Sequence, residues 1–213
     1  FTYSNYGLTA IFTAGTFYND LQFKHSFSPK LPDTFSPVHK ILDDDVPVHL
    51  PYLLTIKTDV PPHLSSKALI VSLGDNNRKF PQGGDYENGF ISVQLRIMGR
   101  FAVVIDTIAP KLYPKNIKQA AKMMKENPIE ITASDNLTGI KSWRATLHCA
   151  SDEKPPQWVL VEYEPKKDLL YYTFDWSPNN PEGKMGGWKK YTFVLEATDG
   201  KNNTTKYKVD FIR

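Results

Sequence analysis

The stretch GRFAVVIDTIAP, residues 99–110, constrains the chain more than any other. Phe101, Val103 and Ile105 fall on one side of an extended backbone, and Ala102 and Val104 on the other. Both sides are apolar, so the run predicts a strand covered on both faces. Residues 106–110 then stop it, because Pro110 has no N–H for a sheet ladder and biases Ala109 towards an extended conformation. The stretch reads as the last strand of one β-domain followed by the directed start of a second. For 213 residues the division falls at 1–107 and 108–213, two modules close to the roughly 100 residues of an immunoglobulin-like sandwich.

Composition agrees with an all-β chain of two tandem immunoglobulin-like β-sandwich domains. Tyr and Phe number 11 and 12, Pro outnumbers Gly by 16 to 12, and no long apolar pattern of helical period appears. With 26 basic and 23 acidic residues and a net charge of +3, the balance argues against a nucleic-acid partner, which needs a clustered basic face. Cys149 is the only cysteine, so an intrachain disulfide is impossible and stability has to come from burial. No apolar run approaches the roughly 20 residues of a membrane span, and no signal-peptide pattern opens the chain. The expectation is a piece of a longer protein whose targeting signal lies upstream.

In the first module, Leu8, Ala10 and Phe12 alternate with small or polar residues, as do Leu21, Phe23, His25 and Phe27. Turn residues Ala14-Gly15 and Asn19-Asp20 separate these two half-buried strands. A segment punctuated by Ser36-Pro37 and Pro47 leads to further strands over 53–58, 68–73 and 90–97, for six or seven in all. Four of the five histidines lie here, at 25, 39, 49 and 63. His39 and Asp43 match HxxxD, half of a zinc signature, and with a further histidine would make a metal-dependent hydrolase. The HxH half is missing, so a solvated loop is the favoured reading, and no metal or cofactor is expected. Asp43-Asp44-Asp45 lacks the alternating ligand spacing of a calcium loop.

In the second module, one short helix is predicted between Pro114 and Pro128. Ile117, Ala120, Ala121 and Met124 would form its apolar face and Lys115, Lys118, Lys122 and Lys125 its cationic one. That cationic face suits either an anionic wall polymer or plain solvent. Strong alternation follows: Ile129, Ile131 and Ala133; Trp143, Ala145 and Leu147; Tyr191, Phe193, Leu195 and Ala197; Tyr207, Val209 and Phe211. Most aromatics, Trp158 included, read as core, leaving Trp176 and Trp188 beside a Gly- and Pro-rich loop as candidate sugar-stacking residues. ATDGKNNTT reads as a hairpin turn with Gly200 and Asn202 at positive φ rather than as a calcium loop.

At GRFAVVIDTIAP, SDNLTGIKSWRATL, KDLLYYTFD and LEATDGKNNTT the chain resembles the C-terminal β-sandwich region of exported Bacteroidetes proteins of the lysostaphin-type zinc metallopeptidase family. That family's hinge is met here by Gly99-Arg100-Phe101, Asp106-Thr107 and Pro110, and its DN-SGI motif by Asp135-Asn136 with Thr138-Gly139-Ile140. Ala109 replaces a proline and Thr138 a serine. The resemblance implies an extracytoplasmic segment, in the periplasm or on the cell surface, that is not itself an enzyme. It would position a catalytic domain upstream in the same chain, or bind peptidoglycan or a cell-surface glycan through Trp176, Trp188, Lys118 and Lys122. A surface carbohydrate-binding or adhesion module is the alternative. The first module, at AGTFYNDL and FSPVH, is also similar to the sandwich of netrin receptors and ankyrins.

Overall fold

The computed structural model describes residues 1–123, 127–151, 153–174 and 188–213, and divides into two compact units at Phe1–Thr107 and Ile108–Arg213. Both are built from sheets whose strands pair antiparallel, apart from the two-residue strand Ala121–Lys122. Helix among the described residues is limited to three short 3-10 turns at Pro62–Lys67, Asp75–Asn77 and Pro165–Lys167.

The first unit holds two five-stranded sheets. One runs β1 (Thr2–Asn5), β2 (Leu8–Ile11), β5 (Tyr52–Lys57), β9 (Phe90–Leu95), β8 (Asp85–Glu87). The other runs β3 (His25–Ser28), β4 (Val38–Ile41), β10 (Gly99–Ile105), β6 (Ala68–Leu73), β7 (Lys79–Gly83). Leu8, Leu54, Ile56 and Ile91 from the first sheet meet Ile70, Phe101 and Val103 from the second in one core. The hinge-side run is β10, central in its sheet. Ala102 and Val104, on its other side, are also buried, as are Leu69 and Val71 of β6. The double-faced apolar pattern therefore marks the two strands most withdrawn from water.

Local departures follow from backbone hydrogen bonding. Pro37 cannot donate, so β4 starts only at Val38. Beyond its end the Phe35 N–H donates to the Val103 carbonyl at 2.8 Å, and the Val103 N–H donates to the Ser36 hydroxyl at 2.9 Å. A side chain thus continues the ladder where a proline interrupts it. The strand expected over 21–27 is confined to its last part, β3, with Leu21 exposed.

The second unit has the immunoglobulin arrangement of an A-B-E-D sheet facing a G-F-C sheet. The first sheet is β11 (Lys111–Pro114), β13 (Ile129–Ser134), β17 (Leu169–Tyr172), β16 (Glu162–Glu164). The second is β12 (Ala121–Lys122), β19 (Thr204–Ile212), β18 (Lys190–Asp199), β14 (Ile140–Cys149), β15 (Gln157–Val159). Tyr191, Phe193, Leu195 and Ala197 line the core with Val209 and Phe211, as the alternation predicts. QWVLVEYEP reads as one strand in sequence, yet it splits into β15 and β16, which belong to different sheets.

The predicted helix does not form over its described residues; Met124 and Lys125 lie outside them. Ala120 takes a left-handed φ of 58° and donates its N–H to the Asp210 carbonyl, and the Met123 N–H donates to the Ile212 carbonyl. Ala121–Lys122 then pairs in parallel with β19. Gln119 binds Asp210 twice, its amide donating to the carboxylate and accepting from the Asp210 N–H. A helix this short is marginal alone, whereas the edge of β19 offers unpaired backbone groups, so strand addition wins. Ile117 and Met123 are buried by this route rather than on a helical face.

Candidate functional site

Sequence reasoning nominates Trp176, Trp188, Lys118 and Lys122, and the structure brings two of them together. Lys122, in β12, places its ammonium 5.5 Å from the centre of the ring of Trp188, two residues before the start of β18. Trp188 is 59 % exposed, so the ring is presented to solvent. Lys118 is exposed in the turn before β12, its carbonyl accepting the Ala121 N–H, and it shares no helical face with Lys122. Trp176 lies outside the described residues. Among the described lysines of the predicted cationic face, Lys122 is held over an indole, an arrangement attractive by charge–quadrupole interaction. An indole face can stack on a pyranose ring while the ammonium pairs with a neighbouring carboxylate.

Trp158 corrects the sequence reading. It lies on the edge strand β15, opposite Thr146 on β14, and is 59 % exposed rather than core. Trp143 is half-buried, donating its indole N–H to the Val161 carbonyl at 2.8 Å.

The candidate metal pair is separated by the fold. His39 is fully buried in β4, which overturns its reading as a loop residue. Asp43 sits in the exposed turn beyond, and Lys40 binds it at 2.6 Å. That hydrogen bond lowers the Asp43 pKa. His39 contacts His25 instead, Nδ1 to Nε2 at 3.1 Å, and His25 Nδ1 lies 3.0 Å from the Tyr3 hydroxyl. His49 pairs with Tyr18 at 3.2 Å. Sequence spacing missed the His25–His39 contact, because it depends on the register that sets Phe27 opposite His39 and His25 opposite Ile41.

In the second unit, the DN and ATDG motifs serve as turn ties. Asp135 Oδ2 accepts the N–H groups of Leu137 and Gly139 at 3.0 and 2.9 Å. Asp199, fully buried at the end of β18, accepts from the N–H groups of Lys201 and Asn203 through Oδ1, both at 2.8 Å, and from the Asn203 amide through Oδ2. Asn202 takes the expected positive φ of 59°. Gly200 does not, and is required for space: a Cβ there would lie 2.9 Å from the Thr138 Cβ. Cys149 is buried, its sulfur 3.1 Å from the Ser151 hydroxyl.

The fold and surface define an all-β, sandwich-built chain with an aromatic–cation pair on its second unit. Residues 1–106 match the family model described as a Zu5-like domain, so the similarity coincides with the first unit. No curated protein matches the chain. No helix among the described residues is long and apolar enough to cross a membrane.

Proposed function

We propose that this chain is a non-catalytic accessory segment of an exported bacterial cell-envelope protein, which targets an upstream peptidoglycan peptidase to its substrate by binding the wall through Trp188 and Lys122. The observation that carries this reading is the exposed indole with an ammonium 5.5 Å from its ring centre. Peptidoglycan presents sugar rings beside acidic stem peptides, the two chemistries that such a pair can engage together. The separation of buried His39 from exposed Asp43 supports a binding role over a hydrolytic one. The resemblance of the hinge and DN-TGI motifs to the peptidase-associated sandwiches supports the extracytoplasmic setting.

Co-sedimentation with purified peptidoglycan sacculi at low and raised salt tests this. Pelleting that survives salt and is lost in Trp188→Ala is the expected result. Pelleting unchanged in Trp188→Ala, or absent at both salts, refutes wall binding by this pair. A second reading, a surface adhesion module, is favoured by the other exposed indole among the described residues, Trp158. It predicts glycan binding that falls in Trp158→Ala and not in Trp188→Ala.

A further inference from the structure

The first unit contains a polar chain, half-buried at Tyr3 and His25 and fully buried at His39, that no binding role employs. β1 edges one sheet of the sandwich and β3 edges the other. Tyr3 on β1, His25 on β3 and His39 on β4 link them in sequence, through contacts of 3.0 and 3.1 Å. His39 Nε2, at the inner end, is shut off from solvent and has no hydrogen-bond partner among the described residues.

Proton positions follow from that unpartnered nitrogen. A neutral pair carries one proton between the facing nitrogens and one more elsewhere. If the second sat on His39 Nε2, it would be a buried N–H without an acceptor, the costlier kind of unmade bond. The favoured arrangement has His39 Nδ1–H donating to His25 Nε2, His25 Nδ1–H donating to the Tyr3 oxygen, and His39 Nε2 bare. An added proton has two places to go. On His39 Nε2 it creates a buried N–H without an acceptor, its charge shared with half-buried His25 through the proton between the rings; on His25 Nε2 it sets two N–H groups against each other at 3.1 Å. Both outcomes disfavour the closed edge.

We propose that the Tyr3–His25–His39 chain is an acid-sensitive latch, clamping β1 to β3 when the two imidazoles share their protons and releasing that edge of the first sandwich when they take up another. The groups that stand opposite the two rings in register are apolar or aromatic. Phe101 of β10 and Phe27 of β3 stand opposite His39 in register, Ile41 of β4 opposite His25, and the Tyr6 ring lies 6.4 Å from the His25 ring. Lys40, between His39 and Ile41 on β4, points to the other face and pairs with Asp43. Burial lowers the pKa of His25, and burial together with the nearby His25 lowers that of His39 to about 4.

Hydrogen exchange on the intact chain, read as protection factors at pH 7.5 and 5.0, tests the latch. An opened edge frees His39 to titrate near the ordinary value of about 6.5, so the open-to-closed ratio rises roughly 30-fold over this interval. The expected result is a loss of that size at the amides of β1 and β3, with β5, β6 and β10 unchanged, and its disappearance in His39→Leu. Unchanged protection of β1 and β3 in the wild-type chain at pH 5.0 would overturn the proposal. So would an equal loss over the whole unit, or persistence of the local loss in His39→Leu. The wild-type comparison decides alone if the variant does not fold.

Discussion

Replacing Ser36 by alanine removes a single oxygen, yet it should cost the first sandwich more than its size suggests. The Ser36 hydroxyl is buried and accepts the Val103 N–H at 2.9 Å, in the middle of β10, where β4 has already ended. Alanine leaves that N–H in the interior with no acceptor, and the lost atom leaves too little room for water to replace it. An unsatisfied buried donor costs about 1–3 kcal/mol. For a unit of this size each kcal/mol lowers the melting temperature by roughly 4–8 °C, so a shift on the order of 10 °C is expected. The assay is urea and thermal unfolding of the chain, following the transition of the first unit. Ser4→Ala is the control, since Ser4 is exposed and merely touches the Thr9 hydroxyl at 3.0 Å. A Ser36→Ala loss below about 0.5 kcal/mol, the range of ordinary surface changes, would refute the view that this side chain stands in for a strand neighbour.

Three further outcomes are expected. Gly84→Ala should destabilise more than Gly83→Ala: both have positive φ, but only at Gly84 would a Cβ meet Ile91 Cγ2 at 2.7 Å. The left-handed backbone costs about 1–2 kcal/mol at either site and overpacking adds about 1–3 at Gly84, so equal or reversed losses in denaturant unfolding would contradict the close approach of Gly84 to β9. Asp199→Ala should lower the stability of the second unit by about 3 kcal/mol, since three donors lose their acceptor; a urea midpoint that hardly moves would show the turn to be held otherwise. Stability of the first unit should also fall with acid. His39 has a folded pKa of about 4 against 6.5, so the unfolded chain binds the extra proton, and the contribution is full above pH 6.5 and lost as pH falls towards 4. The total is at most about 3 kcal/mol, and unfolding midpoints flat between pH 7 and 5 would exclude it.

The β-class, the place of the division and the inward faces of β10, β14, β18 and β19 were legible because alternation in a strand reports directly on which side is buried. The Leu8–Ala10 and Tyr191–Ala197 runs show this, their inward residues being those the pattern selects. Where sequence reasoning failed, a competing partner lay far along the chain. The lysine-rich segment has helical spacing, but the open edge of β19, some 90 residues later, captures its backbone. QWVLVEYEP alternates well enough for one strand, and only the two sheets on either side decide that it must break between them.

Of the candidate site, the type of residue was readable and the grouping was not. Exposed Trp188 follows from its loop setting, yet its pairing with Lys122 arises from β12 and β18 flanking β19. Trp158 reads as core among its apolar neighbours, and it is exposed because it pairs with Thr146 on the face of the sheet turned from the core, while Val159 beside it pairs with core Ala145. His39 and Asp43, four residues apart, match half of a zinc signature but read as a solvated loop; strand geometry instead turns His39 inward and leaves only Asp43 in the exposed turn beyond β4. By itself the sequence determined that this chain is two β-modules joined at residues 107–108, because local periodicity and proline chemistry act within a few residues. Tertiary structure alone decided which strands became edges, which indoles stayed wet and which histidines met, because each depends on register between segments that only the folded sheets bring together.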